Sequence, residues 1–135
     1  MTGWFADTYT PDKPVVALGD FNIAPHEHDV WSHKQMLKVV SHTPAETERL
    51  EAMRATVNFT DTARHFVPMD EKVYTWWSYR NKDWKKSNRG RRLDHIWSSD
   101  DLSQALADIK VLREARGWER PSDHVPVFAR FNPKG

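Results

Sequence analysis

The chain has 135 residues and a net charge of +1, and its length suits one domain with a modest core. It contains no cysteine, which excludes disulfides and thiolate chemistry and fits a reducing compartment, so we expect the protein in the cytoplasm. Because no apolar run is long enough for a membrane helix and the start lacks signal-peptide features, we expect no membrane partner.

The first predicted element is a strand over Val15 to Leu18, four apolar residues bounded by Pro14 and Gly19. A continuous apolar run of this kind is typical of a fully buried strand. Asp20 and Asn22 follow two residues apart, so their side chains point the same way if the chain stays extended. A buried strand that ends on polar side chains often ends at a functional site.

A histidine-rich segment comes next, and it raises the question of a zinc site. His26 to Asp29, together with His33, supplies residue types that bind zinc. The segment follows Pro25 in what reads as a loop entering a helix, and the HExxH spacing is absent. A helix start is therefore the favoured interpretation.

Two helices are predicted in the middle of the chain. "TPAE", Thr43 to Glu46, has the pattern of a helix start, with Thr as N-cap, Pro in the first position and Glu completing a capping box. We expect this helix to end near Ala55. A second, short helix is expected near "FTDTARHF", ending before Pro68.

Strands dominate the second half of the sequence. "VYTWWSY" and "LDHIWSS" are rich in β-branched and aromatic residues, and the stretch between them suggests a long hairpin. A short helix over Asp100 to Ala107 and strands in "DIKVLRE" and "VPVFARF" complete the chain. This order predicts one α/β or α+β domain with a mostly antiparallel sheet and flanking helices.

The loop at residues 80–92 is strongly basic, with seven basic residues and a single acid. Trp84 lies in its middle, and a basic loop that carries an aromatic side chain suits a phosphate backbone with a base or sugar to stack on. A solvated surface loop accounts for the charge equally well.

Polar clusters fall at the ends of the predicted strands: Asp20 with Asn22, then Asp94, then "SDH" at Ser122 to His124. Carboxylates with an amide and an imidazole suit a divalent cation and a phosphate, because hard ions take oxygen ligands. An Asp beside a His also fixes the imidazole tautomer. Each cluster alone is a weak signal, since a single Asp at a strand end is more often a turn former.

Taken in order, "GDFN", "TWWSYR", "NRGRRLDHIW" and "PSDHVPV" resemble the carboxy-terminal half of the exonuclease III family of apurinic/apyrimidinic endonucleases, within the endonuclease/exonuclease/phosphatase superfamily. The resemblance runs from about Pro14 to Phe131. It implies half of a four-layer α/β sandwich, with residues 1–135 as the carboxy-terminal half of a domain whose amino-terminal half is absent. Met1 to Trp4 would then lie inside a helix.

The resemblance also implies site residues. The catalytic residues would be Asp20, Asn22, Asp94 and His124. The ligands of a Mg²⁺ or Mn²⁺ ion would be Asp20, Asn22, Asp123 and His124. The DNA-binding residues would be Trp76, Lys85, Lys86, Arg89, Arg91 and Leu93. Trp76 and Leu93 match positions that line the pocket for a flipped abasic sugar, whereas Arg91 stands where other members carry an apolar residue.

The function implied is a metal-dependent DNA phosphodiesterase of base-excision repair, which acts at abasic sites and 3′ ends of double-stranded DNA. Two alternatives stay open. The chain would be a non-catalytic half-domain that binds DNA weakly or pairs with its missing half or a second copy, or a phosphatase of the same superfamily.

Overall fold

The computed structural model describes residues 15–56, 58–80 and 82–132, and Met1 to Trp4 lie outside these ranges. The strands are β1 (Val16–Asp20), β2 (Thr60–Asp61), β3 (Asp94–Ser98), β4 (Leu106–Val111) and β5 (Val127–Phe131). The α-helices are α1 (His33–Met36), α2 (Pro44–Thr56), α3 (Thr62–Phe66), α4 (Trp84–Ser87) and α5 (Asp100–Ser103), with 3₁₀ turns at Glu27–Asp29 and Arg113–Gly117. No helix in the described ranges is long and apolar enough to span a bilayer.

The strands in the described ranges form two antiparallel sheets. One sheet has the order β1-β3-β2, and the other pairs β4 with β5. Helix α2 begins as predicted, because the Glu46 carboxylate accepts hydrogen bonds from the Ser41 backbone N–H and the Thr43 hydroxyl. The short helix before Pro68 is also confirmed as α3.

The first sheet buries one face and exposes the other. On the buried face, Trp97 and His95 of β3 lie under α2 and its neighbours. On the opposite face Val16 is 37% exposed and Leu18 is 65% exposed. The prediction of a fully buried strand over Val15 to Leu18 is therefore wrong: the strand exists, but only alternate side chains contact a partner.

Among the residues that the structure describes, the core consists of three small clusters around large side chains. Leu50, Phe59 and Trp97 form the first cluster, beneath α2. A second cluster surrounds Val30, and a third surrounds Trp77, which is 2% exposed as expected of a core residue. These clusters hold the irregular segments of the chain against the two sheets.

The predicted strand over "VYTWWSY" and its long hairpin are wrong. Within this segment Trp76 alone makes β-bridges to other described residues, single ones to Arg91 and His124. The backbone N–H groups of Thr75 and Trp76 both donate to the Arg91 carbonyl, which interrupts a regular ladder in the manner of a β-bulge. The partners of β3 are instead β1 and β2.

Single bridges link four segments side by side. Val30 pairs with Arg91, Arg91 with Trp76, and Trp76 with His124. We call this row of bridges the bridge ladder. Since neighbouring strands lie about 4.8 Å apart, its three steps span roughly 14 Å. The ladder ends at the "SDH" motif, so it connects the interior of the domain to the predicted site.

A buried ion-pair network lies next to the bridge ladder, at Arg92, the residue that follows Arg91. The Arg92 guanidinium, 1% exposed, donates to the carboxylates of Asp29 and Asp61 at 2.7–2.9 Å. Arg64 makes a further ion pair with Asp29. Burial raises the pKa of Asp61, but the charge and hydrogen bonds of Arg92 outweigh it and lower the pKa to about 2.

Candidate active site

Strand pairing brings two of the predicted carboxylates together. Asp20, the last residue of β1, lies directly opposite Asp94, the first residue of β3. Both side chains fall on the exposed face of the sheet, next to Leu18 and Ile96. Two strands that are distant in sequence thus end at one point.

His124 completes this cluster. Its Nδ1 lies 2.8 Å from Asp94 Oδ2, and its Nε2 lies 3.5 Å from Asp20 Oδ2. One ligand atom from each of the three side chains lies within 4.8 Å of the others. The hydrogen bond to Asp94 orients the ring, so Nε2 points toward Asp20 and the open side of the site.

Asn22 and Asp123 border the cluster without joining it. The Asn22 backbone N–H donates to Asp20 Oδ1 at 2.9 Å, and with its amide oriented to satisfy hydrogen bonding the side chain also donates to Asp20. Asn22 has a φ of 57°, a left-handed conformation that Asn tolerates. Asp123 accepts a hydrogen bond from Trp76 Nε1 at 3.0 Å, which holds its carboxylate against Trp76.

Thr75 is a site residue that the sequence reasoning missed. Its hydroxyl donates to Asp94 Oδ2 at 2.7 Å and accepts from the backbone N–H groups of Leu93 and Asp94 at 3.1 Å each. Because Thr75 is 1% exposed, the hydroxyl is fixed, and with it the carboxylate. The available signal was a polar residue inside an otherwise aromatic run.

The charges around His124 favour its protonated form. Burial lowers the pKa of His124, but the hydrogen bond and charge of Asp94, with the charges of Asp20 and Asp123, outweigh it and raise the pKa above its ordinary value. A doubly protonated imidazole keeps Nδ1–H on Asp94 and leaves Nε2–H as a donor. The site therefore offers a carboxylate and a cationic donor side by side.

The basic loop divides into an exposed helix and two arginines that stack on tryptophans. Lys85 and Lys86 lie on α4, exposed to solvent. The Arg89 guanidinium lies 4.7 Å from the centre of the Trp31 ring. Arg91 lies 5.0 Å from the centre of the Trp76 ring. Trp31 was not among the predicted site residues, and its sequence offered no motif to identify it.

Leu93 lies beneath the site rather than on its surface. It is 5% exposed and belongs to the cluster around Val30, against which Trp76 also packs. Trp76 is only partly buried and faces the groove next to Arg91. Of the two residues predicted to line a sugar pocket, Trp76 presents the accessible surface.

The donor set suits a hard divalent cation held by few protein ligands. Asp20, with its side chain 36% exposed, provides carboxylate oxygens at the open side of the site. Mg²⁺ binds through one or two carboxylates and keeps several waters or substrate oxygens. Asp29 is not placed to serve as the carboxylate ligand of a zinc site, because it is fully buried in ion pairs with Arg92 and Arg64.

Residues 2–124 match the endonuclease/exonuclease/phosphatase family, and the chain belongs to that family. The exodeoxyribonuclease III of Haemophilus influenzae is 31% identical to it over 124 residues, which cover 88% of this chain and 46% of that protein. The resemblance of its motifs to exonuclease III enzymes is confirmed by this relative.

Solved structures agree with the α/β class. An AP endonuclease from Archaeoglobus fulgidus superposes with a TM-score of 0.92 at 27% identity, covering 98% of this chain and 51% of that one. A 3′-5′ exonuclease from Neisseria meningitidis superposes with a TM-score of 0.88 at 34% identity, covering 97% and 50%. The chain thus spans about half the length of these proteins.

Proposed function

We propose that this chain supplies the carboxy-terminal half of a metal-dependent DNA phosphodiesterase of base-excision repair, similar to exodeoxyribonuclease III and acting at abasic sites and 3′ ends. The observation that carries the proposal is the cross-strand pair of Asp20 and Asp94 with His124 between them. A carboxylate base, an oriented imidazole and an open side together form a site for a phosphodiester.

In the proposed reaction, a water molecule attacks the phosphorus. Asp20 orients this water and accepts a proton from it. Asn22 holds the water or the phosphate beside Asp20. His124 donates from Nε2 to a non-bridging oxygen, which stabilises the pentacovalent transition state, and the phosphorus–oxygen bond opposite the attacking water breaks. Asp94 keeps the imidazole oriented and charged, with Thr75 holding Asp94 in turn.

The proposed cation is Mg²⁺ or Mn²⁺, held by Asp20 and Asn22 with Asp123 and His124 nearby. When bound, it polarises the phosphate and offsets the charge that develops in the transition state. The exposure of Asp20 and the few fixed carboxylates support a weakly held ion that depends on ligands from elsewhere.

The proposed substrate is double-stranded DNA. The basic loop supports this: Lys85 and Lys86 are exposed on one helix and Arg89 lies on the same side as Trp76. Trp76 and Arg91 would receive the sugar of a flipped nucleotide, with Leu93 buried beneath them. A Neisseria relative with 34% identity was solved with a product DNA hairpin.

The proposed partner within the domain is an amino-terminal half that covers the exposed face of the first sheet. On that face Val16 is 37% exposed and Leu18 is 65% exposed, an unusual exposure for apolar side chains next to each other. A second copy of this chain is the other candidate for that face. The cytoplasmic location, which follows from residue usage, stays a prediction.

Two other functions have an observation in their favour. The chain covers about half the length of these two solved structures, which supports a non-catalytic half-domain that binds DNA weakly. The Neisseria enzyme solved with the hairpin is described as a 3′ phosphatase, which supports a phosphatase.

The test is hydrolysis of a duplex that contains an abasic site, with Mg²⁺ or Mn²⁺, by this chain alone and mixed with a separately produced amino-terminal half. We expect cleavage on mixing, and a loss of orders of magnitude for Asp20→Ala, Asn22→Ala or His124→Ala with little change in DNA affinity. Arg49→Ala, at an exposed position of α2, is the control. Near-normal turnover of His124→Ala would contradict the proposed chemistry, and release of phosphate from 3′ ends without strand cleavage would favour the phosphatase.

A further inference from the structure

The tryptophan of the basic loop is enclosed by two arginines from the 3₁₀ turn at Arg113–Gly117. The guanidinium of Arg113 lies 5.0 Å from the centre of the Trp84 ring, and that of Arg116 lies 5.6 Å from it. Trp77 packs edge-on against the same ring, with the ring centres 5.3 Å apart. Trp84 is half-buried and packs against the core cluster around Trp77. Its ring is therefore occupied by contacts within the protein.

The two arginines keep their charge, because none of the described carboxylates pairs with either of them. Arg113 Nη2 donates to Asn88 Oδ1 at 3.2 Å, and Arg116 Nε donates to the Trp77 carbonyl at 3.1 Å. Aromatic rings and neutral oxygens thus hold both guanidiniums, an arrangement that the planar, weakly hydrated guanidinium favours. The stack adds positive charge beside α4 instead of neutralising it.

The same contacts join α4 to the segment that carries His124. The Trp77 carbonyl accepts from Arg116, and the Trp77 backbone N–H donates to the Asp123 carbonyl at 2.9 Å, next to His124. Trp77 Nε1 donates to Asn88 Oδ1 at 3.0 Å, so the residue that follows α4 is attached to the same tryptophan. Both ends of α4 are held against the chain that leads into His124.

Helix α4 depends on these contacts because it is too short to form alone. It has four residues, and Asp83 at its N-cap makes no side-chain capping hydrogen bond. Isolated helices of this length are not stable in water. Lys85 and Lys86 are exposed, whereas Trp84 packs against the core. The location of the two lysines therefore follows from the location of the tryptophan.

We propose that Trp84 is a positioning residue: its ring, held between Arg113 and Arg116, fixes Lys85 and Lys86 where they contact DNA phosphates near the proposed cleavage site. This role rests on the proposed function, in which DNA is the partner, and it replaces the expectation that the tryptophan stacks on a base or sugar. A helix that is already ordered binds more tightly, since ordering one backbone residue on binding costs a factor of roughly five to thirty in affinity.

Hydrogen–deuterium exchange of the chain without DNA tests whether Trp84 holds α4. The Ser87 and Asn88 amides donate within α4 and its cap, and in Trp84→Ala they should exchange at least about five-fold faster, with the amides of β3 unchanged. Trp84→Phe retains a ring and should keep most of the protection. Trp118→Ala, at a tryptophan that is 56% exposed at the end of the same turn, is the control and should exchange like the unmodified chain.

Fluorescence anisotropy with a labelled duplex that contains an abasic-site analogue, divalent ions being chelated, tests what the ordered helix does. Trp84→Ala should bind roughly five- to thirty-fold more weakly with an unchanged salt dependence, because the lysines keep their charge. Replacing Lys85 and Lys86 by Ala should instead lower the log–log salt slope by about 1 to 2. Arg113→Lys keeps the charge but not the planar stack, so it should resemble Trp84→Ala, and the double variant should be hardly weaker than either.

The outcomes separate this role from the proposed function. Unchanged exchange of α4 in Trp84→Ala, or faster exchange with unchanged DNA affinity, would overturn the positioning role and leave the phosphodiesterase in place. Fully additive losses from Trp84→Ala and Arg113→Lys would overturn it as well, since they would indicate that the tryptophan contacts DNA directly. Failure of the unmodified chain to bind the duplex would overturn DNA as its partner and both proposals together.

Discussion

His124 lies between two carboxylates, and the hydrogen bond from its Nδ1 to Asp94 stabilises the protonated form of the imidazole. Because its pKa in the folded protein is raised, His124 contributes stability below its ordinary pKa of about 6.5, and that contribution is lost as the pH rises through the folded pKa. The same proton that stabilises the fold is the one proposed to contact the phosphate.

Replacing Asp94 by Asn tests this coupling. We expect the pKa of His124 to fall, since burial still lowers it while the strongest opposing interaction is gone. NMR titration of the imidazole in the metal-free protein measures the change, and Asp108→Asn, on the exposed side of β4, serves as the control. A His124 pKa that is equal in both variants would contradict the role assigned to Asp94.

His95 behaves in the opposite way. It is 2% exposed, with Nε2 bonded to the Ile23 carbonyl, and burial together with the charge of Arg92 lowers its pKa to about 4. Between pH 6.5 and about 4 the unfolded chain binds a proton that the folded chain does not. The free energy of unfolding should therefore decrease as the pH is lowered from 6.5 to 4, by up to about 3 kcal/mol.

Urea unfolding at a series of pH values measures this loss. His95→Gln should flatten the dependence between pH 6.5 and 4, because no group at this position then titrates. Asp61, with a pKa of about 2, acts at lower pH and should leave that window unaffected. An equally steep decline in the variant would assign the acid sensitivity to another group.

Among the elements, the segment at Arg92 depends most on a charge network. The guanidinium satisfies two buried carboxylates, Asp29 and Asp61, which come from elements far apart in sequence. Arg92→Leu would leave the buried Asp61 carboxylate without its ion pair and Asp29 with Arg64 alone, and we expect it to lower the free energy of unfolding by about 3–5 kcal/mol. Arg49→Leu, on the exposed side of α2, should change it by less than about 0.5 kcal/mol, and chemical denaturation compares the two.

Elements that form through residues near in sequence were predictable, whereas elements that depend on contacts with distant residues were not. Helix α2 follows from Thr43, Pro44 and Glu46, which carry its start signal within four residues. The strand predicted over "VYTWWSY" failed because its amides at Thr75 and Trp76 share one carbonyl of Arg91, a pairing that no local pattern reveals.

The same distinction applies to the candidate site. The polar residues at strand ends were visible as motifs, and three of them, Asp20, Asp94 and His124, do lie together. Their support was not visible. Thr75 and Trp31 act through contacts with residues at least 18 positions away, so sequence spacing carried no information about them.

At the scale of the whole molecule, the open face of the first sheet is the dominant feature. Val16 and Leu18 are both more than one-third exposed, and Leu18 lies on the same face as the candidate site. Burying one such side chain is worth roughly 1.5–3 kcal/mol. A partner that covers this face would stabilise the chain and complete the surroundings of the site at the same time.

Light scattering tests this on the chain alone and with the amino-terminal half. We expect the chain alone to self-associate and to form a stable one-to-one complex when the amino-terminal half is added. The Leu18→Lys variant should self-associate less. Val40→Lys provides the control, since Val40 is 76% exposed and lies between α1 and α2, outside the strands. A chain that stays monomeric and ignores the added half would contradict a role for this face.

The bridge ladder has a consequence for motion. Its rungs are single bridges rather than long strands, so few hydrogen bonds separate its closed state from a locally opened one. The amides of Trp76, Arg91 and Val125 should therefore exchange with deuterium as one unit, faster than those inside β3. DNA bound near the Val30 end of the ladder should slow exchange at the His124 end too, and a slowing confined to one end would show that the bridges open independently.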